Sequence, residues 1–267
     1  MKIFVVNMRR SIERRKFMEE QLNKLKLDYE FVEAVDGYNL TDNFIAEMCD
    51  LEAIERRPTW LSKGAIGCAL SHYNIYKKIV EEKIEKAIIL EDDMILDNSF
   101  SVVSEAIGNK MAESEVVLLY YTTTKLLELS NINKEALIGE FTLSYPSRVH
   151  PSMTTGAYII TFEVAKNLSE LILPIRVTAD QWKYFHENGA FKILRCCYPY
   201  LASSAFLKSE IDYVDYSTLI GKIVKLVDKY KVFPFVQLLR KRRKKLQLRM
   251  RNVAFMNEAS PLSADLA

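Results

Sequence analysis

The chain has 267 residues, 49% hydrophobic and 27% charged, an ordinary soluble composition and a length that suits one α/β domain with a filled core, or one domain and an appendage. The net charge of +2 is uneven: from Ser217 onward twelve Lys and Arg stand against Asp228, Glu258 and Asp265, so a tail of +9 follows a body of −7. Cys49, Cys68 and the adjacent Cys196 and Cys197 form no C-x-x-C, which argues against a disulfide framework or a structural zinc site, and no apolar run reaches the roughly 18 residues of a membrane span.

In chain order, Lys2 to Val6 reads as a short buried strand; before Arg9 and Arg10, Ile3 to Val6 is too short for a signal peptide, so the protein is expected in the cytoplasm. Ser11 can cap a helix with an apolar stripe of Ile12, Met18, Leu22 and Leu25. Tyr29 to Val35 follows as a strand, closed by the turn pair Asp36-Gly37. Together they make the βαβ unit of a parallel sheet. Thr41 to Trp60 reads as an irregular excursion with one short helix.

A helix is predicted from Ser62 or Lys63 to Glu82, with Leu70, Tyr73, Ile75 and Ile79 inward. Lys86 to Leu90, apolar apart from its first residue, reads as a central strand. A helix over Ser99–Met111 and a strand over Val116–Tyr121 come next, and then loops and short strands from Thr122 to Pro151. Ala157–Thr161 is a strand, Glu163–Leu171 and Asp180–Glu187 are helices, and Phe191–Cys196 is a last strand. This alternation predicts one α/β domain over residues 1–215 with a mostly parallel central sheet. A basic amphipathic helical segment (216–252) and a flexible end (253–267) follow.

Glu91-Asp92-Asp93 stands directly after the apolar strand Ala87 to Leu90. In open α/β sheets, ligands bind beyond the carboxyl ends of the strands. Three adjacent carboxylates there repel one another by about 1 kcal/mol per pair even in water. A hard divalent cation would relieve this, with phosphate oxygens filling its remaining positions. If strand geometry continues, residues 91 and 93 point to the same side. A solvated acidic turn is the other reading. G-x-G-x-x-G after the first strand, G-x-x-x-x-G-K-[ST] and G-x-S-x-G are all absent, which argues against a dinucleotide oxidoreductase, a P-loop and an α/β-hydrolase.

Several segments together resemble glycosyltransferase family 25, the lipooligosaccharide-biosynthesis glycosyltransferases. They are Phe4-Val5-Val6-Asn7 with Arg9, Ser11 and Glu13-Arg14-Arg15; Glu33-Ala34-Val35-Asp36-Gly37; Leu61 to His72; Ile88 to Asp93; and Thr155 to Ile160. They run in the family's order over roughly residues 1–200. Ala65 departs from the pattern, since many relatives carry Glu there. The resemblance implies a GT-A-like nucleotide-sugar-binding fold, a UDP-sugar donor (most often UDP-galactose), and Mn²⁺ or Mg²⁺ bridging the diphosphate to a D-x-D-like motif, here Glu91-Asp92-Asp93. The family includes inverting β-galactosyltransferases acting on bacterial surface oligosaccharide.

On that footing Asp93 is the direct metal ligand and Glu91 assists, through water or the donor's ribose, with Asp92 beside the donor. Asn7 and Asp36 are donor-side residues, Asn7 towards the uracil, while Arg9 and Arg14 can pair with phosphate or remain turn and helix charges. Ser71 and His72 contact the donor or serve the helix interior. His150 is a nitrogen ligand to the metal or a loop residue. Asp180 is the base that takes the acceptor proton, or a helix N-cap, or both, and Trp182 faces the acceptor sugar or the core.

In the tail, Leu219, Ile223, Leu226 and Tyr230 alternate with lysines, Pro234 interrupts the helix, and Arg240 to Lys245 are all basic. This suits an interfacial helix on anionic lipid, placing the enzyme on the cytoplasmic face of the inner membrane beside a lipooligosaccharide acceptor. A non-catalytic sugar- or membrane-binding relative is the alternative. A basic-tailed nucleic-acid binder is a third reading, which the acidic body disfavours. The oligomeric state is not encoded legibly.

Overall fold

The computed structural model describes residues 1–56, 61–123, 125–150, 153–205, 219–250 and 252–266. The first part of the chain gives β1 (Lys2–Asn7), α1 (Ile12–Lys24), β2 (Glu30–Glu33), α2 (Asp42–Met48), α3 (Leu51–Arg56), α4 (Lys63–Glu81), β3 (Lys86–Glu91), β4 (Met94–Leu96), α5 (Phe100–Lys110) and β5 (Glu115–Tyr120). Then come β6 (Leu127–Ser130), β7 (Glu135–Ala136), β8 (Thr142–Ser144), β9 (Ala157–Thr161), α6 (Phe162–Leu171), α7 (Trp182–Glu187), β10 (Ile193–Tyr198), β11 (Ala202–Ser204), α8 (Leu219–Tyr230), α9 (Phe235–Arg249) and β12 (Val253–Met256).

Eight strands form one sheet in the order β2-β1-β3-β9-β5-β10-β8-β7. The expectation of a mostly parallel sheet is corrected here. β1 pairs parallel with β2 and β3, and β10 with β5, but β9 runs antiparallel to both β3 and β5, and β8 antiparallel to β10 and β7. The sheet is mixed because β9 is reached through the long irregular stretch after β5, not through a crossover helix of the kind that returns a strand parallel.

Alternation along the strands sends Phe4, Ile89, Val116, Tyr158 and Ile160 into a core that also contains Ile75 and Ile79 of α4 and Val164 and Leu168 of α6. Ile3, Val5, Ile88, Leu90, Val117 and Ile159 join Met18 and Leu22 of α1 and Phe100, Val103 and Ile107 of α5 on the other face. Burying each large apolar side chain contributes about 1.5–3 kcal/mol, so the two faces fix which way each helix lies. Ile12, predicted inward, is 69% exposed, because it stands in the first turn of α1, ahead of the part that meets the sheet. The excursion before α4 holds two helices, α2 and α3, where one was expected.

The 215/216 boundary lies outside the described residues. Beyond it, α8 and α9 are separated at Pro234, as its ring and missing N–H require. The stretch expected to be a flexible end carries β12, which pairs parallel with β6. Phe255 stacks edge-on against Tyr198 at 5.0 Å, and buried Ser260 donates to the Pro146 carbonyl at 2.6 Å. Among the described residues, no helix is long and apolar enough to cross a membrane.

Candidate active site

Strand register assembles the site. Val6 lies opposite Glu91 in the β1–β3 pair, which sets Asn7 beside Asp92. Asp92 is buried, and its two oxygens are claimed from within: Asn7 Nδ2 donates to Oδ2 at 2.7 Å and Arg14 Nη1 to Oδ1 at 2.6 Å. Asn7 Nδ2 also reaches the Ser11 carbonyl at 3.3 Å. Arg14 Nη2 is 3.8 Å from Asp93 Oδ2, while Asp93 Oδ1 is buried without a hydrogen-bond partner among the described residues. Met8, Arg14, Ala34, Asp36, Gly37 and Tyr38 line a crevice above the triplet, with Gly64, Cys68, Ser71 and His72 of α4 as another wall.

Strand geometry stops at Glu91, and Asp92-Asp93 form a turn. Glu91 therefore falls on the face of Ile89, under α4. Thr155 Oγ1 donates to Glu91 Oε1 at 2.7 Å, and His72 Nε2 lies 4.0 Å from the same oxygen. A third of the Glu91 side chain is open to the crevice, yet desolvation, then the charge of Asp93, raises its pKa to about 7. Burial also raises Asp93, against the opposing pull of Arg14.

His72 is fully buried, its Nδ1 2.7 Å from Tyr158 Oη, which is 2.9 Å from Tyr76 Oη. Burial lowers its pKa to about 4, so it is neutral at physiological pH, and Nε2 has no hydrogen-bond partner among the described residues. Cys68, one turn earlier, completes a cluster in which a Cys68, a His72 and a Glu91 ligand atom all lie within 4.8 Å of one another. Burial and the charge of Glu91 hold the Cys68 thiol well above its usual range. This cluster could hold a metal, and it shares only Glu91 with the expected set of Glu91, Asp93 and His150. The sequence signal was the i, i+4 spacing of Cys68 and His72, which puts both on one helix face.

The α4 wall is fixed by backbone contact. Ser71 Oγ donates to the Gly67 carbonyl at 2.6 Å and accepts from Val35 N at 2.8 Å, so its hydroxyl tethers the β2 exit to α4. A Cβ on Gly67 would sit 2.5 Å from the Val35 carbonyl and 2.6 Å from Gly37 N, and one on Gly37 would overlap the Lys63 carbonyl. Both positions need glycine for close approach, whatever their φ. Asp36 caps the turn at Gly37–Asn39, accepts from Tyr38 N at 3.2 Å, and pairs with Arg10. Arg9 is exposed beside it.

Asp180 does not occupy the cap of α7. Gln181 does, and the helix starts at Trp182, because Thr178 Oγ1 donates to Asp180 Oδ1 at 2.5 Å and holds that carboxylate in the preceding turn. Its charge bears on both Glu91 and Cys68, which places it on this side of the molecule. Trp182 is buried, packs edge-on against Tyr158 at 5.2 Å, and donates Nε1 to the Thr154 carbonyl at 3.0 Å. That bond holds Thr154 at φ +66°, an outlier for a β-branched residue, next to the Thr155 that grips Glu91. His150 is buried with Nε2 unpartnered among the described residues; desolvation and then Arg148 lower its pKa, and Glu128 and Lys125 are the other charged groups acting on it.

Residues 1–182 match the model of the family described as glycosyltransferase family 25 (LPS biosynthesis protein). A glycosyltransferase 25 family member of Aedes aegypti is 30% identical over 175 residues, covering 63% of this chain and 28% of the relative. Procollagen galactosyltransferase 2 of Homo sapiens is 32% identical over 105 residues, covering 37% of this chain and 16% of the relative. The chain thus spans well under a third of these relatives' lengths. Among solved structures, mouse xyloside xylosyltransferase 1 aligns over 71% of this chain and 63% of its own at 12% identity, with a TM-score of 0.32, a likeness too slight to define a topology.

Proposed function

We propose a function from one premise: the chain belongs to glycosyltransferase family 25. It moves a hexose, galactose in the first instance and glucose in the second, from a UDP-sugar to a lipooligosaccharide acceptor, with inversion, on a GT-A-like scaffold. The observation that carries this reading is Asp93 Oδ1, buried and without a partner among the described residues, beside a Glu91 whose pKa is raised to about 7. Two carboxylates in that state fit a hard divalent cation, Mn²⁺ or Mg²⁺, whose other positions go to phosphate and water. When bound, such a cation stabilises the charge that grows on the departing diphosphate.

The chain's own residues supply the remainder. Asn7, with its amide hydrogens on Asp92 and Ser11, presents a carbonyl oxygen suited to the uracil N–H. Arg14 adds positive charge to the crevice, which Asp36 and Tyr38 also line, and exposed Arg9 is free to swing towards a phosphate. Asp180, pinned by Thr178, takes the acceptor hydroxyl's proton as that oxygen attacks the anomeric carbon.

Apolar side chains on α8 and α9 support docking on the cytoplasmic face of an anionic inner membrane. Ile223, Leu226, Tyr230, Phe235 and Leu238 are each more than half exposed, near exposed Lys241, Arg242 and Lys245. The decisive experiment is a screen of UDP-hexoses with Mn²⁺ and a lipooligosaccharide acceptor. One donor should turn over, Asp93→Ala should abolish turnover, and Asp180→Asn should lower kcat by about 10²–10⁴. Turnover that survives both Asp93→Ala and chelation sinks the metal-dependent reading.

A further inference from the structure

We propose that Cys68, His72 and Glu91 form a binding site for a borderline transition-metal ion, Zn²⁺ being the best match, distinct in its ligand set from the all-oxygen position at Glu91 and Asp93. The inference stands on side-chain chemistry alone and does not need the transferase reading.

The donor set decides the metal. One sulfur, one imidazole nitrogen and one carboxylate oxygen converge within 4.8 Å of one another. Thiolate and imidazole select Zn²⁺ and its neighbours, whereas Mg²⁺ takes oxygen. Bond lengths of about 2.0–2.3 Å to zinc need ligand atoms somewhat closer than this, so binding the ion requires the side chains to turn inward. Cys68 and His72 are separated by one turn of α4, a 19-residue helix, so they reach the same point from a rigid element. Glu91 approaches from the end of β3, a strand held by neighbours on both sides.

The second observation is His72 itself. It is fully buried, and among the described residues Nε2 has no hydrogen-bond partner. An imidazole nitrogen left so in a packed interior is costly, and it faces the Glu91 carboxylate at 4.0 Å. The other ring nitrogen is already engaged: with Nδ1–H donated to Tyr158 Oη, and Tyr158 O–H to Tyr76 Oη, the Nε2 lone pair is free for a cation. Outer-shell hydrogen bonds of this kind orient metal-binding histidines. Thr155 does the same for Glu91. Three protein ligands leave a fourth position open, as in zinc sites that accept a water or a substrate atom. All three ligands line the crevice, so that position faces it.

The test uses the full chain, reduced and metal-free, with Co²⁺ as the optical probe. Cobalt should produce a thiolate charge-transfer absorption in the near ultraviolet that Zn²⁺ abolishes and excess Mg²⁺ does not. Cys68→Ser should remove the band, and Tyr158→Phe should weaken cobalt affinity about 10- to 100-fold. A zinc-edge X-ray absorption spectrum of the wild-type protein, which needs no variant, should show one sulfur at about 2.3 Å among nitrogen and oxygen neighbours. No charge-transfer band, a band unchanged in folded Cys68→Ser, or a zinc spectrum without sulfur overturns the proposal. None of these readouts involves a nucleotide sugar, so such a failure would leave the transferase reading standing.

Discussion

Arg14 and Asp92, 78 positions apart, meet at 2.6 Å with side chains only 15% and 8% exposed. All three acids line the crevice, but both Asp92 oxygens are thereby engaged by the protein's own side chains, whereas Asp93 Oδ1 has no hydrogen-bond partner among the described residues. Arg14→Ala strands that buried carboxylate and should cost about 3 kcal/mol, read as a lower urea midpoint. Arg14→Lys should cost less. In an Asp92→Ala background the effect of Arg14→Ala should largely vanish; an equal cost in both backgrounds refutes the coupling.

Stability should respond to pH through Glu91. Its folded pKa of about 7 lies above the ordinary 4.5, so between those values the folded protein holds a proton that the unfolded chain has released. Glu91 therefore lowers the stability of the metal-free protein progressively as pH rises from 4.5 to 7, with no further loss above. Relative to wild type, Glu91→Gln should be stabilising at pH 8 and close to neutral at pH 4.5. The Mn²⁺-induced rise in Tm should likewise be larger at pH 8 than at pH 6, since the cation must displace that proton. Differences that do not change with pH contradict the assignment.

Gly67 admits no side chain. Its would-be Cβ meets backbone atoms of Val35 and Gly37, and backbone cannot swing aside as a flexible side chain can. Gly67→Ala should cost about 3 kcal/mol or more and loosen the wall carrying Cys68 and His72. Equilibrium unfolding measures it, and a cost under about 1 kcal/mol would show that α4 is not held as tightly as the contact implies.

On vesicles, Lys241 and Arg242 should each contribute about 1 kcal/mol of attraction to anionic lipid. Replacing both by Gln should weaken binding to phosphatidylglycerol-rich vesicles about thirty-fold and reduce its salt sensitivity. Equal binding to neutral and anionic vesicles would argue against electrostatic docking.

By itself the sequence determined the local matters. The apolar run ending in Glu91-Asp92-Asp93, the start of α4 at Lys63, and the Asp36-Gly37 turn all follow from near-neighbour sterics and hydrogen bonding, and all lie where expected. Tertiary structure decided what each acid does. Asp92 is distinguished from Asp93 by Asn7 and Arg14, which arrive from another strand and helix. Glu91 finds His72 and Cys68 because β3 passes under α4. The mixed sheet is of the same kind, because strand direction depends on the end of the sheet at which a long irregular connection re-enters, and no local periodicity records that. Side-chain type and spacing are properties of a short stretch of chain, whereas partnership across 19 to 85 positions comes only from packing the whole.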